Sequence, residues 1–279
     1  MPIGCYEMLN QNCYDVLECH WHEEMELFKI MKGTMRVQAG EEIFEAHAGD
    51  LLFFNSEELH AAAALEGEIC DYRAIVFSPD ILCGSDGDCV RLDYIVPVLN
   101  GGLLLPRMIH DDCTQGIEIH QSFDIMYHLI QKQPELFPFL LKSEMFHLFA
   151  LLLADAKRMP ATIRRNEAVS GVKGAISYIQ ENYAKPITLK ELSDLCSMSQ
   201  GHFCRVFKQY TTKTPVQYIN TVRLSKAMEL LRETDRKVLD IALDTGFNSL
   251  SYFIGVFRES VGTTPTAYRQ QEESSHKII

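Results

Sequence analysis

No stretch of this 279-residue sequence approaches the ~20 consecutive apolar residues that a membrane-crossing helix requires; the densest cluster, Leu148 to Ala154, falls far short. Met1 to Asn12 lacks the basic start and apolar run of a secretory signal, carrying Glu7, Asn10 and Gln11 instead, so a cytoplasmic protein with no membrane partner is expected. No CxxC pair occurs among the nine cysteines, and an odd number cannot all pair within one chain. They read as reduced thiols, mostly small buried side chains. Low-complexity tracts are missing, and with 47% hydrophobic and 23% charged residues the composition excludes disorder as the main state. Basic residues are scarce. Against 38 Asp and Glu stand 26 Lys and Arg, a net charge of −12 that argues at first sight against a nucleic-acid partner.

That deficit is confined to the front of the chain. Residues 1–165 hold 12 Lys and Arg against 26 Asp and Glu, a balance of −14, while residues 166–279 hold 14 against 12, a balance of +2. The asymmetry fits an acidic half joined to a half that tolerates phosphates. From Cys19 to about Phe77 short apolar segments, Met25 to Met31, Met35 to Val37, Ile43 to His47 and Leu51 to Phe54, are broken by Lys32-Gly33, Ala39-Gly40 and Gly49-Asp50. This spacing predicts an antiparallel sandwich or barrel. Past a loop near Cys83 to Cys89, Ile117, Ile119, Phe123, Met126 and Ile130, then Phe139, Leu140, Phe146, Phe149, Leu152 and Leu153, recur at helical spacing. They predict two amphipathic helices separated by Pro134 and Pro138. So much apolar surface exceeds what one barrel face covers, which predicts a homodimer through Phe123, Met126, Ile130, Phe146, Phe149 and Leu153. Met159 to Ser170, with Pro160, Arg164, Arg165 and Asn166, reads as a linker.

The C-terminal part contains an internal repeat at an offset of 50 residues: Leu189 recurs as Leu239, Asp194 as Asp244, Ser199 as Ser249, Phe203 as Phe253, Phe207 as Phe257, Thr214-Pro215 as Thr264-Pro265 and Tyr218 as Tyr268. Two copies are too few for a solenoid and mean two similar subdomains. In the first, Thr188 to Glu191 is a capping box opening a short helix that carries Leu192 and Leu195 inward. A turn at Cys196-Ser197-Met198 follows, and Ser199 caps a helix with Phe203, Val206 and Phe207 on one face. This is a helix-turn-helix, and Gln200, His202, Arg205, Lys208 and Gln209 on its polar face suit base edges and phosphates. In the second, Val238 to Asp244, Thr245-Gly246-Phe247 and a helix capped by Asn248 or Ser249 repeat the plan. Thr214-Pro215 opens the helix between them.

Gly246-Phe247-Asn248-Ser249, Tyr252-Phe253, Phe257-Arg258, Gly262-Thr263-Thr264-Pro265 and Tyr268-Arg269 resemble the C-terminal signature of the AraC/XylS family of bacterial transcription regulators, over about Val172 to Gln270. The resemblance implies two reading helices facing adjacent major-groove segments of promoter DNA. By motif position these present Gln200, Gly201, Cys204, Arg205 and Lys208, and Leu250, Ser251, Ile254, Gly255 and Arg258. The second set is poor in base-reading chemistry and suits thymine methyls, phosphates and DNA shape.

Near the N-terminus, His20 and His22 stand at i and i+2, on one face of a strand, with Glu26 four residues on; such a face can bind a metal. The spacing to Gly33, and of His60 from Gly49, is similar to the two short motifs of cupin barrels, which implies that His20, His22, Glu26 and His60 form a pocket. Tyr14, Asn55 and Glu57 depart from that pattern. The pocket would take a small polar effector, a sugar being favoured by the family resemblance, and a divalent metal is the candidate cofactor. The expected architecture is therefore α+β: a cupin-like β-barrel with a helical hairpin in 1–158 for sensing and dimerisation, a linker at 159–170, and an all-α DNA-binding domain in 171–279. The expected function is a ligand-responsive DNA-binding regulator and not an enzyme; the alternatives are a metal-dependent cupin enzyme and a metal-responsive regulator.

Overall fold

The computed structural model describes residues 2–11, 17–65, 67–85, 87–159 and 167–276. Its contacts divide into two compact units, Met1–Arg164 and Arg165–Ile279. Pro160, Arg164, Arg165 and Asn166 of the expected linker lie outside the described residues, as do Cys13 and Tyr14.

In the first unit eight strands come in succession: β1 Ile3–Gln11, β2 Leu17–His20, β3 Met25–Lys32, β4 Thr34–Ala39, β5 Glu42–His47, β6 Leu51–Phe54, β7 His60–Ala64 and β8 Cys70–Phe77. Two short non-α helical turns (Pro79–Leu82 and Arg91–Ile95), a short helix α1 (Val96–Leu99), strands β9 (Leu103–Leu104) and β10 (Met108–Ile109), helices α2 (Thr114–Lys132) and α3 (Phe137–Ala154), and strand β11 (Lys157–Arg158) follow. The two larger sheets have the orders β1-β8-β3-β6-β10 and β2-β7-β4-β5, and β9 pairs with β11 separately, with every pairing antiparallel. Among the described residues no strand pair joins these two sheets, so the barrel is an open one. Strand β1 was not legible as a strand, because its Glu7, Asn10 and Gln11 mask the alternation by which Ile3 and Cys5 pack inward.

The larger sheet is buried on both faces, and side-chain parity sorts its residues between two cores. Phe28, Ile30, Leu52, Phe54, Tyr72 and Ala74 face Met35, Val37, Ala46 and Ala62 of the other sheet. Met25, Leu27, Leu51, Phe53, Ile75 and Phe77 face Ile119, Phe123 and Met126 of α2 and Met145, Leu148 and Phe149 of α3. Each such Val, Leu, Ile, Phe or Met side chain gains roughly 1.5–3 kcal/mol by leaving water. Gly33 closes the tight β3–β4 hairpin at φ +80, where a Cβ would lie 2.7 Å from both the Cys70 Sγ and the Ile69 carbonyl oxygen.

The helical stripes differ from expectation. Phe123, Met126, Ile130 and Phe149, read as dimer surface, are consumed by the unit's own core, because the second face of the sheet has no other cover. Ile117, Phe139, Leu140 and Phe146 are exposed instead. Pro138 sits in the first turn of α3 and not between the helices, where its missing amide costs nothing. By length and composition α3 could cross a membrane, but its Leu141, Met145, Leu148, Phe149 and Leu152 are buried in the core.

Among the described residues the second unit is a series of seven helices: α4 Glu167–Asn182, α5 Leu189–Leu195, α6 Gln200–Thr211, α7 Pro215–Glu233, α8 Val238–Asp244, α9 Leu250–Val261 and α10 Pro265–His276. Thus α4 begins inside the stretch assigned to the linker. Thr188 with Glu191 and Thr214 with Gln217 form complete capping boxes, and the Ser199 and Ser249 hydroxyls accept from the amides three residues on. The 50-residue register holds from Ser199 onward but not before it. Leu192 and Ser193 are buried at the places of Ile241 and Ala242, an offset of 49, so the second turn holds one residue more than the first. Leu195 is accordingly 53% exposed and not inward, and Leu239 is exposed as well.

Candidate functional site

Strand parity delivers the polar cluster of the first unit. Glu26 lies on the β3 face that carries Phe28 and Ile30, and so points between the two sheets. His20 and His60 are direct partners across β2 and β7, their rings 4.3 Å apart, and His60 stacks on Phe54 at 4.4 Å. His22 does not share a strand with His20, because β2 ends at His20; the bend at Glu23-Glu24 turns its ring back toward the same point. One ligand atom from each of His20, His22, Glu26 and His60 lies within 4.8 Å of every other.

Hydrogen bonding fixes the direction of the three rings. The Nδ1 atoms of His20, His22 and His60 lie 2.8, 3.0 and 2.8 Å from the carbonyl oxygens of Glu18, Glu24 and Glu58. Each Nδ1–H therefore donates to backbone, and each Nε2 is left as the free nitrogen. Glu26 Oε2 sits 3.1 Å from His22 Nε2 and 3.3 Å from His60 Nε2. In neutral rings these are acceptors facing an acceptor, an arrangement that only a shared cation, a proton or a metal ion, can satisfy. Burial, with the charge of His60, pushes His20 down to about 4. For Glu26 burial acts upward, but hydrogen bonds with His22 and His60 outweigh it and bring the carboxyl down to about 2. His22 is opposed by burial and nevertheless raised by the hydrogen bond and charge of Glu26. Three imidazoles held by backbone carbonyls and one carboxylate form a donor set that could hold a divalent transition metal.

His20, His22 and Glu26 of the cluster, with Glu24, line part of a cavity of about 560 Å³. Its remaining lining is mostly apolar and includes Gly4, Tyr6 and Met8 of β1, and Tyr72, Ala74 and Val76 of β8. Sequence reasoning missed these walls along with β1 itself. His47 and His110 are exposed and both stand beside Asp50, His110 Nδ1 at 2.8 Å.

In the second unit, Gln200, Gly201, Arg205 and Lys208 are exposed along α6, with Cys204 half-buried beside them. Arg205 is positioned by His202, its guanidinium nitrogen 3.3 Å from His202 Nδ1. On α9, Ser251, Ile254, Gly255 and Arg258 are exposed and Leu250 half-buried, while Phe253 and Phe257 are buried beneath. A residue that escaped sequence reasoning is Arg223 of α7. It donates to the Tyr183 and Lys185 carbonyl oxygens at 2.8 and 2.9 Å and lies over the Phe247 ring, tying the end of α4 to the second turn.

Residues 11–149 match the family described as an AraC-like ligand binding domain, and residues 192–271 match a helix-turn-helix domain family. An uncharacterized HTH-type transcriptional regulator of Bacillus subtilis (strain 168), YdeC, is 27% identical over 271 residues, covering 97% of this chain and 92% of its own length. The HTH-type transcriptional activator RhaS of Enterobacter sp. (strain 638) is 32% identical over 120 residues, 40% of this chain and 43% of that protein. Among solved structures, ToxT from Vibrio cholerae has a TM-score of 0.52 at 14% identity, over 96% of this chain and 97% of that one, a likeness of fold.

Proposed function

The chain belongs to the AraC family of ligand-binding, helix-turn-helix DNA-binding transcriptional regulators, and we propose that its response is set by a divalent metal ion at His20, His22, Glu26 and His60. The observation that carries this reading is the convergence of three backbone-oriented imidazoles on one buried carboxylate. A sugar, the effector favoured by resemblance, presents hydroxyls around its ring, and apolar walls would leave most of them without partners at a cost. The donor set would also serve a cupin enzyme; the paired helix-turn-helix units and the named functions of the relatives favour the regulator, acting on promoter DNA in the cytoplasm.

Promoter DNA would be read by Gln200, Gly201, Cys204, Arg205 and Lys208 of α6 and by Leu250, Ser251, Ile254 and Arg258 of α9. A homodimer is supported by the outer face of α3. Phe139, Ser143, Phe146 and Ala150 follow one another at spacings of four, three and four residues, with Phe139 78% and Phe146 41% exposed, while Leu153 packs against the unit's own core. That is the spacing of a helix-pairing seam, and Ser143 and Ala150 let a second helix approach closely.

The test is elemental analysis of the purified full-length protein, together with its affinity for DNA upstream of its own gene before and after chelation. Stoichiometric metal, and an affinity that changes on chelation and recovers with added ion, are expected. A metal-free protein with an unchanged response would refute the reading.

A further inference from the structure

The cavity beside the histidine cluster has a chemistry of its own. The register of the larger sheet arranges its walls in rows: Glu26, Val76 and Gly4 stand side by side, then Phe28, Ala74 and Tyr6, then Ile30, Tyr72 and Met8. Successive rows are ~7 Å apart along the strands. A molecule anchored at Glu26 that runs past Ala74 and Tyr6 toward Met8 meets no charged side chain of the lining and no polar group there but the Tyr6 and Tyr72 hydroxyls, whereas the lining on the other side of Gly4 is Pro2 and Ile3. Tyr6 is 58% and Met8 39% exposed, so large apolar surface borders the cavity uncovered. Charge sets the other end. Three neutral imidazoles and one carboxylate around a divalent ion leave +1 on the ion and coordination positions that a ligand's oxygens can fill, while Glu24, its Oε2 3.7 Å from His22 Nδ1, is the further carboxylate of the lining.

We infer that the effector is an amphiphilic carboxylate of the 2-hydroxy-acid type, whose chelating head completes the ion held by His20, His22, Glu26 and His60 and whose apolar tail lies along Ala74, Tyr6 and Met8. The inference rests on the metal reading of that site. A 2-hydroxy carboxylate brings one negative charge and two oxygens to the ion, and its tail covers the exposed wall. Small hydrophilic acids satisfy the head alone, and sugars satisfy neither demand.

The experiment uses the full-length protein loaded with Co²⁺, whose visible absorption reports a new ligand on the ion, with Trp21, the sole tryptophan, as a second readout between His20 and His22. The probes are 2-hydroxyoctanoate, lactate, 1,2-octanediol and glucose. The expected result is that 2-hydroxyoctanoate changes the cobalt spectrum and binds at least tenfold more tightly than the other three. Tyr6→Glu, on the exposed edge strand, should abolish its advantage over lactate while leaving cobalt uptake and lactate binding intact. Metal uptake with lactate or glucose bound as tightly as 2-hydroxyoctanoate would overturn the ligand class and leave the metal reading standing. Equal binding of 2-hydroxyoctanoate by metal-free and loaded protein would overturn the role of the ion, and no metal uptake with no 2-hydroxyoctanoate binding would overturn both.

Discussion

Ser197 and Gly246 occupy the same place in the two helix-turn-helix units, the first left-handed residue after the supporting helix, at φ 52 and φ 89. In each, the next amide, Met198 or Phe247, donates to a carbonyl five residues back, Ser193 or Ala242. This is the hydrogen bond that closes a helix on a left-handed residue. The two positions are not interchangeable. A Cβ on Gly246 would lie 2.6 Å from the Tyr183 carbonyl oxygen, whereas the serine at 197 has the room it needs and bears only the backbone strain.

Ser197→Gly should therefore stabilise the protein by up to about 1 kcal/mol, the left-handed strain relieved less the added freedom of the unfolded chain. Gly246→Ala should destabilise it by more than that. Urea unfolding of both variants checks the pair, and shifts of the same sign would contradict it.

Arg205 and Lys208 project from the same face of α6 but should act differently on DNA. Arg205, held by His202, can make two parallel bonds to one guanine, so Arg205→Ala should cost ~1–3 kcal/mol and relax preference at a single base pair. Lys208→Ala should weaken all sequences alike and lower the salt dependence. A base-substitution panel measured at two salt concentrations separates the roles; indistinguishable variants would remove the assignment.

Phe146→Glu should split the proposed dimer, because it places a carboxylate in the middle of the exposed face of α3 while leaving the buried stripe of that helix untouched. Sedimentation should show half the mass, with an unchanged circular dichroism spectrum. Unaltered mass in a folded variant would send the interface to another face.

His22→Ala should lower metal affinity at least tenfold with little loss of stability, since His22 is part-exposed and its ring lies outside the strands. His60 is wholly buried against Phe54, so His60→Ala should lose the metal and destabilise the unit as well. Calorimetric metal titration beside thermal unfolding distinguishes the two. Equal metal affinity in wild type and His22→Ala would exclude this histidine from the site.

Gly33→Ala meets both a left-handed backbone and two atoms inside contact distance, so it should cost at least the ~1–3 kcal/mol of backbone strain. A denaturation midpoint equal to that of wild type would show that the hairpin relaxes freely.

Much of this protein is legible locally. The alternation of Met25 to Phe54 and the turn signals at Gly33, Gly40 and Gly49 predict β3 to β6 within a residue or two at each end, and the serine and threonine caps place every helix start in the DNA-binding unit except α4 and α8. Where sequence reasoning slipped, the cause was non-local. Phe123 and Phe149 read as an interface because an amphipathic stripe states that it must be covered and not by what; the second face of the larger sheet covers it. The one-residue slip between α5 and α8 was hidden because matching Leu189 to Leu239 and Asp194 to Asp244 follows identity, while burial follows Leu192 and Ile241.

By itself, then, the sequence determined the class of each half, the paired helix-turn-helix plan and the four candidate ligands, because periodicity, capping and motif spacing are properties of neighbours along the chain. Tertiary structure alone decided that Glu26 enters from one sheet while His20 and His60 enter from the other, that backbone carbonyls turn all three imidazoles the same way, and that β1 supplies an apolar wall. Those depend on strand register and on which faces pack together, and each is settled only when the competing ways of burying the same apolar residues are compared across the whole fold.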